Sequence, residues 1–212
     1  MFPIRIYNLR SGRKMVFESK IIYYDLETTG FNPFHCNIIE IAAKDNEGNT
    51  FHRLIDPGVN IPKKITEITH ITDEMVKNQP KIDTVLKDFS KFCLDNSKNK
   101  EIYLIAHNGN AFDKVFLERK YFECCIDLPK WKYIDSLHLA QYVLKGRRSH
   151  SLKNLCRHWN LVQKNAHRAM SDVDDLEKIF ELLIHTWEFE YGETNIHEIY
   201  KFLLPKKNVK TI

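Results

Sequence analysis

The sequence predicts a single α/β domain, in which a mixed β-sheet is covered by helices on both faces. Strand-length apolar segments come first along the chain, and helical and strand-length segments alternate after them. That order is typical of a sheet that begins antiparallel and continues with parallel strands. A chain of 212 residues, 43% hydrophobic and 28% charged, is long enough and ordinary enough for one sizeable globular core.

Strands are predicted where short apolar segments are bounded by turn residues. Residues 1–20 are interpreted as two short strands around a turn at Ser11-Gly12, an extension of the same domain. The sheet itself is predicted from five segments, which are IIYYDLE (21–27), NIIEIAAKD (37–45), TFHRLID (50–56), EIYLIAH (101–107) and WKYIDSL (131–137).

Helices are predicted where apolar residues recur every three or four positions. The clearest pattern predicts an amphipathic helix from about residue 167 to residue 187. Further helical segments are KIDTVLKDFSKFCLDN (81–96), AFDKVFLERKYFE (111–123), HLAQYVL (138–144) and SLKNLCRHW (151–159). The main domain is therefore placed at 18–204, followed by a short basic tail at 205–212.

Composition and segment lengths indicate where the protein resides and whether its cysteines are oxidised. The longest apolar segments are strand-sized, and MFPIRIYNLR has neither a long apolar segment nor a small-residue cleavage site. We therefore expect an intracellular protein, cytoplasmic or nuclear, that is neither secreted nor membrane-bound. Five cysteines without zinc-ligand spacing favour reduced thiols. The net charge is only +4, but the basic clusters KGRRSH (145–150) and PKKNVK (205–210) could contact phosphates or simply be solvated.

Two carboxylates, Asp25 and Glu27, end the first hydrophobic strand. Side chains two residues apart share a face of a strand, so the pair should repel, and burial strengthens this repulsion. We therefore expect a cation between them. Asp113 follows a later strand, and His167 and Asp172 open the long helix, which are positions where an α/β sheet builds its active crevice.

Carboxylate oxygens suit Mg²⁺ or Mn²⁺ better than zinc. Two such ions about 3.5–4 Å apart form the clamp used for in-line displacement at phosphorus. A histidine with a pKa near neutrality can take the proton from the attacking water. Asp113 could instead be a first-turn acid, with Asn108 or Asn110 as the helix cap.

Other polar residues near these positions are interpreted as structural. Asp174 and Asp175 are expected to be first-turn acids with an electrostatic role only. Asp135 is expected to cap a helix, and Tyr23 and Tyr24 to be core residues of the strand.

Three motifs resemble those of the DEDDh 3′–5′ exonucleases, the group with the proofreading exonuclease subunit of DNA polymerase III, the TREX enzymes and RNase T. They are DLETTG (25–30), HNGNAFD (107–113) and HRAMSD (167–172), and they occur in family order. The second is closer to the TREX pattern than to that of bacterial proofreaders. ITEITHITDEMV (65–76) resembles the family's loop after the third strand. The resemblance covers about residues 18–187 and implies a ribonuclease H-like fold with a mixed five-stranded sheet.

The resemblance also implies roles for the motif residues. Asp25 would bridge two metal ions, and Glu27 and Asp172 would complete the site that holds the attacking water. Asp113 would support the second ion, and His167 would be the general base. The substrate-binding residues implied are Leu26, wedged at the terminal base, with Thr28, Asn108 and Phe112. His150, beside the third motif, is a candidate phosphate contact, although a structural role is the more common one for such a residue.

The implied function is a two-metal 3′–5′ exonuclease that uses Mg²⁺, with Mn²⁺ as a substitute. It would release nucleoside 5′-monophosphates from single-stranded 3′ ends, DNA rather than RNA. The alternatives are an RNase T-like exoribonuclease, a nucleic-acid-binding module that has lost its chemistry, and a nuclease acting on free nucleotides or short oligomers. The long proline-rich insertion of the TREX proteins is absent, so their dimerisation is not transferred and the oligomeric state is not predicted.

Overall fold

A computed structural model describes residues 19–95, 97, 100–162 and 168–205. Its centre is a five-stranded sheet in the order β3-β2-β1-β4-β5. The strands are β1 (Lys20–Thr28), β2 (Ile38–Asp45), β3 (Thr50–Leu54), β4 (Ile102–Ala106) and β5 (Lys132–Asp135). The first three strands pair antiparallel, whereas β4 pairs parallel with β1 and β5 parallel with β4. The predicted mixed five-stranded sheet is confirmed, and the strands predicted before Ser19 lie outside the described residues.

Helices cover both faces of this sheet. One face packs against α5 (Ser136–Val143), α7 (Ala169–Tyr191) and α8 (Ile196–Leu203), with α6 (Leu152–His158) beside α7. The other face packs against α3 (Ile82–Leu94) and α4 (Asp113–Glu123). The remaining helices are α1 (Lys63–Thr69) and α2 (Asp73–Val76).

Alternation along β1 decides which face each side chain meets. Ile21 and Tyr23 belong to the core beneath α7, and Tyr24 belongs to the core beneath α3 and α4. Tyr23 and Tyr24 are both buried, which confirms their core assignment. Asp25 and Glu27 continue the row of Ile21 and Tyr23, so the strand directs both carboxylates towards the side of the sheet that carries α7.

Two segments contain helices that were not predicted from the sequence. The segment predicted as a loop at 65–76 carries α1 and α2, because the loop buries a small apolar cluster around Ile39, Ile61, Ile71 and Val76. Residues 192–204, placed in the main domain without a predicted element, contain α8, whose Ile196 and Ile199 complete the core beneath α7. Residues 206–212 of the predicted basic tail lie outside the described residues.

Two smaller expectations, the free cysteines and the cap of α5, are also met. All five cysteines are free, and Cys93 and Cys156 are buried. The Asp135 side chain accepts a hydrogen bond from the Leu137 N–H, which confirms its role as the cap of α5. Among the helices of the described residues, none combines the length and apolar character required to cross a membrane.

Candidate active site

Three carboxylates meet where the start of α7 packs over β1 and β2. One oxygen from each of Asp25, Glu27 and Asp172 lies within 4.8 Å of the others. Asp25 and Glu27 reach this point from the end of β1, and Asp172 reaches it from the first turn of α7. Carboxylate oxygens converging in this way form a set of ligands suited to a hard divalent cation.

A β-bulge ends the regular pairing of β1 and β2 immediately after Glu27. Glu27 is paired with Glu40, but the next residue, Thr28, is paired with Ile38 and not with Ile39. Bulges commonly redirect side chains next to active sites. Beyond this one, the Thr28 hydroxyl donates to the Gly30 carbonyl at 2.6 Å, which closes the turn that follows the strand.

Asp113 approaches the site from α4, which covers the other face of β1. It is the first residue of α4, and its Oδ1 accepts a hydrogen bond from the Leu26 N–H at 3.1 Å. Its carboxylate is buried, and it is not one of the three residues whose oxygens converge. The hydrogen bond joins the second motif to the first, and it places the Asp113 charge beside Asp25.

The electrostatics of the site raise the pKa of three of its acids, Asp25, Glu27 and Asp113. Burial, together with the charges of Asp113, Glu27 and Asp172, raises the pKa of Asp25 well above its ordinary value. Burial and then the neighbouring Glu40 and Asp172 raise the pKa of Glu27 to about 8. Burial raises the pKa of Asp113 to about 7. A bound cation would relieve this repulsion, and the oxygen-only ligand set fits Mg²⁺ or Mn²⁺.

Glu40 was not identified from the sequence as a residue of the site. Its side chain is fully buried, and its oxygens lie 2.7 Å from His52 Nε2, 3.1 Å from an Arg168 guanidinium nitrogen and 3.1 Å from the Ala169 N–H. Burial alone would raise the pKa of Glu40, but these bonds lower it below its ordinary value. Glu40 thus joins the first residue of α7 to β2. A lone acid within the apolar segment IIEIAA was the signal that could have revealed it, because buried charges are normally paired.

Two of the predicted substrate-binding side chains are turned into the protein. Leu26 is 3% exposed and belongs to the core beneath α3 and α4, so it does not present a wedge to a base. Thr28 is 5% exposed, and its hydroxyl is already used by Gly30. Both corrections have one cause: β1 is an inner strand, so side chains on its second face are covered by helices.

Two other predicted residues lie on accessible parts of the second motif. Asn108 is exposed, with a φ of 63°, and its N–H donates to Asp135. Phe112, half-buried, occupies the cap position of α4, which has no side-chain cap, so neither Asn108 nor Asn110 caps the helix. Phe31, not identified from the sequence, is 77% exposed, with its ring centroid 6.2 Å from that of Phe112.

The remaining candidates are placed as follows. The Nε2 of His150 donates to the Leu144 carbonyl at 3.0 Å, which is a structural contact within the loop before α6. His167 lies outside the described residues. Neither Asp174 nor Asp175 lies in the first turn of α7, but both have electrostatic partners: Asp174 pairs with Lys44 at 3.1 Å, and the buried Asp175 with Lys178 at 3.7 Å.

Comparison with known proteins is consistent with this arrangement. The RNase T family model, described as an exonuclease, matches residues 22–180. The chain is 36% identical over 193 residues to a PolC-type DNA polymerase III of Clostridium perfringens (strain 13 / Type A), a match covering 89% of this chain and 13% of that protein. It is 36% identical over 176 residues to the chloroplastic/mitochondrial exonuclease DPD1 of Arabidopsis thaliana, covering 77% of this chain and 55% of that protein. Both matches therefore span less than two thirds of the relative's length.

A third relative matches over most of its own length. The chain is 35% identical over 167 residues to the DNA polymerase III subunit epsilon of Treponema pallidum (strain Nichols), covering 76% of this chain and 74% of that protein.

Solved structures share the fold. Exonuclease I of E. coli in complex with a dT13 oligonucleotide superposes with a TM-score of 0.69 at 19% identity, covering 82% of this chain and 43% of that one. Cell-death related nuclease 4 superposes with a TM-score of 0.66 at 17% identity, covering 79% and 64%. The mixed sheet with helices on both faces is the ribonuclease H-like fold. The chain belongs to the RNase T (DnaQ-like) family of exonucleases.

Proposed function

We propose that this protein is a metal-dependent 3′–5′ exonuclease of the DEDDh type. It hydrolyses phosphodiester bonds at the 3′ end of single-stranded nucleic acid, preferentially DNA, and releases nucleoside 5′-monophosphates. The observation that carries the proposal is the convergence of Asp25, Glu27 and Asp172 within 4.8 Å. Exonuclease membership by itself leaves the direction, the substrate and the mechanism open.

The residues of the site would have two roles, metal binding and proton transfer. Asp25, Glu27 and Asp172 would hold two Mg²⁺ ions, with Asp113 supporting the second ion from behind β1. When bound, such ions lower the pKa of the attacking water and stabilise the leaving oxygen. His167 would take the proton from that water as general base. The buried carboxylates need this positive charge, because burial and mutual repulsion otherwise favour their protonated forms.

Single-stranded substrate is supported by the aromatic residues beside the site. Phe31 and Phe112 place two neighbouring rings next to the end of the first motif, and Phe31 is largely exposed. Bases stack on such rings only when they have been freed from a duplex, whatever their sequence. DNA is favoured because two of the relatives are named as DNA polymerase III proteins, and the E. coli exonuclease I structure holds a dT13 oligonucleotide. An exoribonuclease is the second candidate, which would have to recognise the 2′-hydroxyl.

A gel assay tests the proposal. Single-stranded DNA and RNA oligonucleotides of the same sequence, labelled at the 5′ end, are incubated with Mg²⁺, Mn²⁺ or EDTA. We expect an EDTA-sensitive ladder that shortens from the 3′ end, faster on DNA. A faster RNA ladder would assign the enzyme to RNA, and no shortening by folded protein with either metal would leave a binding module.

Variants separate the roles. Asp25→Ala should abolish activity, and His167→Ala should lower it about 10²–10⁴-fold if His167 is the general base. His185→Ala, at an exposed position on α7, is the matched control and should retain full activity. Undiminished activity in Asp25→Ala would overturn the assignment of the site.

A further inference from the structure

A second polar depression lies between the KGRRSH segment and α6. It has a volume of about 520 Å³. Its lining residues carry three guanidinium groups and no carboxylate, and they are Arg147, Arg148, Ser149, Asn154, Arg157 and His158. We call this the arginine pocket. An anion entering it would meet only positive or neutral polar groups.

The arginines of the pocket are not neutralised by the described part of the chain. Arg119 and Arg168 elsewhere pair with Glu123 and Glu40 at 2.7 and 3.1 Å. Within the described ranges, Arg147, Arg148 and Arg157 have no carboxylate oxygen within 4.0 Å. Guanidinium groups gathered without acids create a positive potential that attracts anions.

Hydrogen bonds hold the pocket side chains in position. An Arg147 guanidinium N–H donates to His158 Nδ1 at 2.8 Å, and the pKa of His158 is lowered by burial and by Arg147. The Nε of Arg147 is buried and has no hydrogen-bond partner among the described residues. Asn154 donates to the Ser149 hydroxyl at 2.8 Å. Side chains already ordered in this way lose less conformational entropy when they bind a ligand.

The pocket lies one helix away from the candidate active site. The opposite side of α6 packs Leu155 and Cys156 into the core beneath α7. α6 packs against α7, whose first turn carries Asp172, so α6 lies between the pocket and the helix that supplies this carboxylate.

We propose that the arginine pocket binds backbone phosphates of the nucleic-acid strand, on the 5′ side of the 3′ end that occupies the active site. The planar guanidinium fork matches the oxygens of a phosphodiester, so arginine suits this contact better than lysine. The proposal rests on the proposed function for the identity of the strand. It assigns the KGRRSH segment to substrate retention and not to the chemical step.

The test compares Arg148→Ala/Arg157→Ala with wild-type protein. Both side chains are exposed, so the fold should be unaffected, and Lys64→Ala/Lys201→Ala removes two exposed charges elsewhere as a matched control. Binding of a long 5′-labelled oligothymidylate is measured by fluorescence anisotropy in EDTA over a range of salt concentrations. We expect about tenfold weaker binding for the arginine variant. The slope of log K against log salt should also fall by about 1.4, since each lost phosphate contact contributes about 0.7 on single strands.

Three outcomes would overturn the proposal. One is unchanged affinity and salt slope in the arginine variant, and another is an equal loss in the lysine control. The third is polyglutamate displacing the oligonucleotide as effectively as a second oligonucleotide, because the pocket would then be a general anion surface.

The activity of the same variant separates this inference from the proposed function. Hydrolysis of a dinucleotide, whose single phosphodiester is the bond cleaved and which has no further backbone phosphate for the pocket, should be unchanged, and an equal loss on the dinucleotide would place the arginines in the active site and overturn the proposal. Arginine-dependent binding by a wild-type protein that never shortens the strand would instead overturn the proposed function and leave this inference standing.

Discussion

At one end of β1 a buried carboxylate is paired with a lysine, whereas at the other end buried carboxylates lie beside further acids. At its beginning, the ammonium of Lys20 lies 2.7 Å from a carboxylate oxygen of Asp45, with side chains only 2% and 1% exposed. Burial would raise the pKa of Asp45, but hydrogen bonds from Lys20 and Asn49 lower it. At its other end, Asp25 and Glu27 face further acids, and their pKa values are raised.

The two ends of β1 therefore have different roles: the end with Lys20 is structural, and the end with Asp25 and Glu27 is functional. Lys20 and Asp45 neutralise each other inside the protein, so that end of the sheet is complete when the chain has folded. The end with Asp25 and Glu27 retains an electrostatic cost that a cation from solution can remove. Perturbed acids gathered in this way are characteristic of functional sites, where local stability is given up for chemistry.

The largest effect on stability is expected from breaking the pair at the structural end. Lys20→Met leaves Asp45 buried without its cation, which should lower the free energy of unfolding by about 3–5 kcal/mol. Urea unfolding measures this loss. Lys63→Met is the control, because Lys63 is exposed and 4.0 Å from Glu67, and it should cost less than about 1 kcal/mol. Equal losses in the two variants would show that the buried pair has no special role.

A smaller effect, of opposite sign, is expected from supplying charge to the functional end. Mg²⁺ at about 100 times its dissociation constant should stabilise the native state by about 2.7 kcal/mol, because the unfolded chain does not gather the carboxylates. Thermal unfolding in EDTA and in Mg²⁺ measures the shift. Asp25→Asn should fold normally in EDTA but lose most of the shift. A shift of the same size in that variant would mean that Mg²⁺ binds elsewhere.

The smallest effect is expected at Glu40, a carboxylate that lies beside another acid, like those at one end of β1, and is paired with a cation, like Asp45 at the other end. Glu40 lies opposite Glu27, yet it is paired with Arg168 and the start of α7, as Asp45 is paired with Lys20. Glu40→Gln should lower kcat about 10–100-fold by loosening the position of the third motif, with KM for the oligonucleotide unchanged. Steady-state kinetics measure both constants. His52→Ala, at a more exposed partner of Glu40, should have a smaller effect, and a change confined to KM would exclude the positioning role.

Side chains on the covered face of β1 show the limit of motif-based prediction. The first motif lies at the end of β1, as the sequence predicted, but the assignment of Leu26 and Thr28 to substrate contacts did not anticipate their burial. A motif states which residues are present, whereas burial depends on the helices that later segments place over the strand. Phe31 and Glu40 were missed for the same reason, since exposure and pairing belong to the folded chain.

The sequence by itself determined the features that depend on neighbours along the chain. Alternation placed Asp25 and Glu27 on one face, helical spacing identified the face that α7 buries, and the order of segments predicted a mixed sheet. Each follows from backbone geometry over a few residues. The three motifs already implied that Asp172 joins Asp25 in one site, but only the tertiary structure decided that Glu40 anchors the start of α7 and that α8 completes the core. Such contacts join distant segments, so they depend on how strands pair and helices dock, which no local pattern specifies.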